Sequence, residues 1–264
     1  MAVFWDWLTG AQGAPPGWAV AASAAVALLI VVSPRLWRLT RIAITIAHEG
    51  GHAVASLLSG RRLEGIRLHA DTSGETVSRG KRSGLGIAAT ALAGYMTPPL
   101  LGAGASALLA AHRVTLLLSL LLVLLAVTLL MMRNWYGVLA VLMTAGALLA
   151  VIWLAGPALR AAFAYAVAWF LLFGGMRPIV ELARTRTRAV RWQAGRRLEG
   201  RRLAAGRPGA ETSDADQLAV LTGVPRGLWV TLFALVALGS LVLGARLLVP
   251  WPAHLAQLRF LSGR

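Results

Sequence analysis

The residues with the clearest chemistry are His48-Glu49-Gly50-Gly51-His52, set inside the apolar run Leu39 to Leu58. On a helix, positions i and i+4 share one face, so both imidazoles can hold a single ion. Zinc suits such a pair: it takes His nitrogens at about 2.0–2.1 Å and, in catalytic sites, keeps one position for water. The ion lowers the pKa of that water to about 7. Glu49 is placed to take the water's proton and deliver it later to a leaving amine. The competing reading is a buried His-Glu-His hydrogen-bond cluster or a proton relay. Cost argues against it: each ionisable group at mid-helix in a membrane costs about 2.5–3.5 kcal/mol on insertion scales. Gly50 and Gly51 add a helix penalty of roughly 1 kcal/mol each.

A catalytic ion needs a third ligand, and the supply is short: the chain has 10 acidic residues, 5 histidines and no cysteine. Disulfides, Cys-zinc sites and thiol catalysis are thereby excluded. The carboxylates near an apolar span on the appropriate side are Glu181, Glu211, Asp214 and Asp216. Thr212-Ser213-Asp214-Ala215-Asp216 leads into the apolar approach to the last span, where Ser213 or Asp214 can instead cap a short helix. His69 lies in a strand-like segment and reads as exposed; His112 and His254 map away from the site.

The elements that must position these groups are membrane helices. Of 264 residues, 58% are hydrophobic and 14% charged, with a mean hydropathy of +0.69. A soluble domain needs a far more polar surface, and disorder needs low hydrophobicity. A bilayer crossing takes about 20 apolar residues. Apolar runs occur at Trp18–Val32, Leu39–Leu58, Leu85–Ala111, Val114–Met132, Trp135–Leu154, Ala158–Gly174 and about Leu228–Leu248. Thr97-Pro98-Pro99 predicts a kinked or broken third pass. Between the second and third runs, Gly65–Val77 alternates apolar and polar residues around Thr72-Ser73-Gly74, which predicts a β-hairpin. The expected fold is therefore all-α and polytopic, with about seven transmembrane helices and a short β-hairpin inserted after the His-Glu-x-x-His helix. The whole of 1–264 reads as one domain.

The net charge of +16 is concentrated between spans, as the positive-inside rule requires of cytoplasmic loops. Residues 177–212 read as an Arg-rich cytoplasmic loop, with ten arginines between Arg177 and Arg207. It sets topology and meets anionic lipid; nucleic-acid binding is not expected, since Trp192 is the one aromatic there. Counting back, Arg133, Lys81-Arg82 and Arg35–Arg41 also fall inside, and His112-Arg113 outside. The second run and the hairpin must together start and end inside, which implies a wet pocket near His48–His52.

The stretch Ala47–Ala53 resembles the site-2 protease family of intramembrane zinc metalloproteases. The likeness continues through Ile66–Val77 and Ala93-Gly94-Tyr95. Arg133-Asn134-x-x-Gly137, Gly174-Gly-x-Arg177 and Ser213-Asp214-Ala215 are similar to the small bacterial branch that lacks a PDZ domain. The resemblance implies His48 and His52 as zinc ligands and Glu49 as general base. It also implies an Asp far along the chain as third ligand, usually within Leu-Asp-Gly, which this chain lacks. Asp214 matches the family's Ser-Asp-Ala, with Asp216 second. It implies a multi-pass protein of the bacterial plasma membrane with a membrane-protein substrate.

Asn134 reads first as the N-cap of the fifth span and second as a donor to substrate or oxyanion. An exposed edge of the hairpin can hold a substrate extended by β-augmentation. The expected function is a zinc-dependent endopeptidase cutting a transmembrane or juxtamembrane segment near the cytoplasmic face. The alternative is a non-catalytic membrane protein that binds or conducts a metal ion or proton through His48, Glu49 and His52.

Overall fold

The structure, a computed structural model, describes residues 10–13, 15–197 and 213–249. Its helices are α1 (Gly17–Val32), α2 (Pro34–Leu58), α3 (Leu85–Ala110), α4 (Val114–Met131), α5 (Trp135–Leu154), α6 (Pro157–Arg197), α7 (Asp214–Thr222) and α8 (Arg226–Leu248). Between α2 and α3 stand β1 (Arg62–Leu68) and β2 (Gly74–Arg79).

Ser33 and Pro34 separate the first two helices. Proline has no amide hydrogen and drives the residue before it out of the helical region. Ser33 is accordingly extended, at φ −67° and ψ 122°, and its hydroxyl accepts from Leu36 N to open α2. The result is a bend of 100° between α1 and α2. Arg35, Arg38 and Arg41 therefore form the first turns of α2, where a connecting loop was expected.

Five helical segments are each long and apolar enough to cross a bilayer: α3, α4, α5, Pro157–Arg184 of α6, and α8. The bent pair α1–α2 raises the count to six at most, short of the expected seven among the described residues. α1 has only 16 residues, and the arginines with His48, Glu49 and His52 dilute the apolarity of α2. Apolar side chains face outward from this bundle, as lipid rather than water would demand; Leu130 is 78% exposed and Met143 68%.

One further expectation is corrected and another narrowed. Arg177–Arg197 continues α6 as a helix, so the Arg-rich segment is not a loop from its start; 198–212 lie outside the described residues. Of the two forms expected for the third pass, kinked or broken, the broken one is excluded, since α3 runs as one helix through Pro98-Pro99. Both prolines are buried, and Pro99 packs on α6, where a Cβ on Gly175 would lie 2.7 Å from Pro99 Cδ. Small residues at such crossings let membrane helices approach closely.

The main core joins α1, α3, α4, α5, α6 and α8 around Leu109, Leu118, Ala164, Ala168 and Leu172. A second cluster, of Ala91, Ile179, Leu182, Ala215, Leu218, Phe233 and Ala237, seats the short helix α7 among α3, α6 and α8. A third, including Ile46, Ala53, Ile66, Leu68 and Met132, fastens β1 to α2 and to the start of α5. The strands are antiparallel, with Leu68 opposite Gly74 and a register shift between Leu63 and Gly65.

Candidate metal centre

Two elements far apart in the chain converge on one point. His48 and His52 project from one face of α2, and Asp214 opens α7. His48 Nε2 and His52 Nε2 are 3.1 Å apart. Asp214 Oδ2 lies 3.2 Å from the first and 3.3 Å from the second. These are the only three metal-ligating side chains so grouped among the described residues.

The arrangement calls for positive charge among its three ligand atoms. His52 Nδ1 is 2.6 Å from the carbonyl oxygen of Thr90 on α3, an acceptor only, so Nδ1 carries the hydrogen. In neutral His52 the Nε2 lone pair then points toward Asp214 Oδ2, which is buried and has no hydrogen bond of good geometry. Converging lone pairs call for a cation. The spacing fits one: zinc with ligands at about 2.0–2.1 Å in tetrahedral directions would set ligand atoms about 3.3–3.4 Å apart. Burial opposes ionisation of Asp214, but hydrogen bonds and charge from the imidazoles, when these are protonated, outweigh that and hold its carboxyl well below the usual range.

The two rings are packed as well as bonded. Gly94 of α3 sits against them: a Cβ there would lie 2.5 Å from His52 Cε1 and Nε2 and 2.7 Å from His48 Cε1. Next to it, Tyr95 meets His48 edge-on at 4.8 Å between centroids and stacks on Phe233 of α8 at 5.0 Å. Gly51 likewise lets α2 press on the Thr97 side chain.

Glu49 is buried on the neighbouring face of α2, under the hairpin. The Thr76 hydroxyl, on β2, lies 2.7 Å from Glu49 Oε2 and 3.1 Å from the Glu49 carbonyl oxygen. Gly74 allows this approach, since a Cβ there would come 2.6 Å from Glu49 Oε1. One carboxylate oxygen is thus held by the strand that covers it.

Asn134 stands at the expected N-cap position of α5. As the residue before α5 it makes no side-chain cap. Its amide instead brackets the backbone of β1: Nδ2 donates to Leu68 O at 2.6 Å, and Oδ1 accepts from Leu68 N at 3.1 Å. Arg133 N donates to Ile66 O at 2.9 Å. The outer edge of β1 is occupied by these contacts, so β2 carries the unpaired edge of the two-stranded sheet.

The other carboxylates are used elsewhere. Asp216 Oδ2 accepts from Ser213 N at 3.1 Å and from Ser213 Oγ at 2.6 Å, completing a capping box. Its Oδ1 is 2.9 Å from Arg226 Nε. Ser213 is the cap and Asp214 is not. Glu181 pairs with Arg177 at 3.1 Å. His69 is exposed at the hairpin turn, and His112 ends α3 in a left-handed conformation at φ 58°. Glu211 and His254 fall outside the described residues. Thr76 and Gly94 lie in stretches that carry the resemblance but had no role assigned, Thr90 and Arg226 carry no motif, and only their places in the fold reveal what they touch.

The family model described as Peptidase M50B-like matches residues 21–244. No curated protein and no solved structure matches the chain.

Proposed function

The chain belongs to the Peptidase M50B-like family, within the site-2 proteases, and from that premise we propose that it is a zinc-dependent intramembrane endopeptidase. The observation that carries this reading is the convergence of His48 Nε2, His52 Nε2 and Asp214 Oδ2 within 3.1–3.3 Å of one another. These three side chains would hold the ion. When bound, it supplies Lewis acidity and acidifies water near neutral pH.

The chain's own residues supply the rest. Glu49 accepts the proton of the attacking water and returns it to the nitrogen of the leaving amine. Thr76 restrains Oε2 of that carboxylate, leaving Oε1 as the atom to exchange the proton. The face of β2 that carries Gly74 and Thr76 lies against Glu49, with the strand's outer edge running beside it. A substrate added there as a strand presents extended backbone beside the base, which a helical segment cannot do. The site lies at the end of the bundle that carries Lys81, Arg82, Arg133, Arg177 and Arg226. That basic end favours cleavage near the cytoplasmic face of a plasma membrane.

No observation favours the non-catalytic alternative. Beyond Glu49 and His52, the buried polar side chains among the described residues are Ser and Thr hydroxyls, whereas a conduction path uses several ionisable groups.

The test is co-expression with single-span membrane proteins, comparing wild type with Glu49→Gln. Wild type should cleave at least one of them and Glu49→Gln none, with zinc retained in both. A metal-loaded wild type that cleaves no member of a broad panel refutes the protease reading.

A further inference from the structure

Asp214 and Asp216 are two residues apart on one helix, and only Asp214 faces the imidazoles. We propose that Arg226 and Asp216 are positioning residues for the metal centre, their ion pair holding α7 in the rotation that delivers Asp214. The inference rests on the metal-centre reading above.

The short helix α7 is not a span, and its nine residues give it little apolar anchorage. Ala215 and Leu218 are its buried residues, set against Ile179, Leu182, Phe233 and Ala237. Apolar contact is non-directional, so it sets the depth of the helix better than its rotation. Rotation matters here. A carboxylate oxygen roughly 5 Å from a helix axis moves about 0.9 Å for a turn of about 10°. Metal–ligand distances tolerate about 0.2 Å.

An ion pair set off the helix axis supplies what the apolar contacts lack. Asp216 is engaged at both oxygens, by Ser213 within α7 and by Arg226 at the first turn of α8. The same guanidinium reaches α6, where Nη2 donates to Leu182 O at 3.3 Å. One guanidinium therefore links α6, α7 and α8, by a hydrogen bond to α6 and by charge to α7. Because the Asp216 carboxylate is consumed in this way, the carboxylate left to face His48 and His52 is that of Asp214. The lock touches neither imidazole, so its effect on the ion is exerted through the pose of Asp214 alone.

The experiment measures zinc affinity of the full-length protein in nanodiscs by competition with a chromophoric chelator, alongside thermal unfolding of the metal-free form. The variants are Arg226→Gln, Arg226→Lys, Asp216→Asn and Asp214→Asn. Residues that orient metal ligands typically contribute 10–100-fold to affinity. Arg226→Gln and Asp216→Asn should each weaken zinc binding by about that factor, with metal-free unfolding unchanged. Arg226→Lys, which keeps the charge, should recover part of the loss, and Asp214→Asn should lose more than any of them. Affinity within twofold of wild type for both Arg226→Gln and Asp216→Asn overturns the proposal. So does a matching fall in metal-free stability, which makes the pair merely structural. A loss in Asp216→Asn as large as in Asp214→Asn overturns it too, by making Asp216 a ligand. Wild type that binds no zinc refutes the metal-centre reading itself, a result distinct from these.

Discussion

Gly94→Ala adds one methyl group where α3 crosses the two imidazoles. The new Cβ would lie 2.5 Å from His52 Cε1 and Nε2 and 2.7 Å from His48 Cε1. Ordinary contact needs about 3.4 Å or more, so rings or helix must give way by close to an ångström. The rings are not free to yield while they hold an ion. His52 is fixed through Nδ1 to Thr90 O, and His48 is packed against Tyr95. In the metal-free protein the imidazoles can turn aside, so the strain is felt mainly in the loaded state and is read as lost affinity. Overpacking of this kind costs about 1–3 kcal/mol, which corresponds to a zinc affinity lower by about 5- to 150-fold. Gly104→Ala is the control, being on the same helix with nothing within 4 Å of its Cβ position. Chelator competition on the purified protein should show the loss in Gly94→Ala and wild-type affinity in Gly104→Ala. Equal affinities for Gly94→Ala and wild type would mean that the two rings do not face α3 as described, and the geometry of the centre would have to be abandoned.

Thr76→Val keeps the side-chain shape but removes the hydroxyl on Glu49 Oε2. A hydrogen bond to a charged group contributes about 1.5–3 kcal/mol, so kcat should fall by about 10- to 150-fold with zinc content unchanged. Thr76→Ser should restore it, and a change in KM alone would assign Thr76 to substrate binding instead. Asn134→Ala leaves the Leu68 amide and carbonyl without their partners; a cost of about 1–3 kcal/mol should appear as faster hydrogen exchange across β1, and unchanged exchange would contradict the clamp. On acidification the site should release zinc, because imidazoles bind metal only when deprotonated. The Asp214 carboxyl is held well below its usual range, so its charge contributes at every pH above that range and is lost only as pH falls through the depressed value. Proton competition at the histidines should therefore empty the site first, and zinc retained in strong acid would argue against histidine ligation.

Periodicity and spacing made part of this protein legible without coordinates. The i, i+4 histidines share a helix face by helix geometry alone, and alternation marked the hairpin because a strand repeats every two residues. Long apolar runs marked the spans that stand on their own, α3 to α6 and α8. The α1–α2 region was less legible, since Arg35 to Arg41 resemble a loop in composition yet follow Pro34, an effective helix opener. The Arg-rich segment misled in the same way: arginine is a good helix former, and α6 continues through Arg197.

What the sequence by itself determined is that two imidazoles and a glutamate share one helix in an apolar protein, with acids available far along the chain. Which acid completes the group was decided only by the tertiary structure. Successive positions on a helix differ by about 100°, so Asp214 and Asp216 point away from each other and only one can face α2. Local sequence suits both. The choice depends on Ser213 and Arg226 engaging Asp216, and on Gly94 admitting the rings beside it. These are contacts between elements whose distance along the chain says nothing of their distance in space.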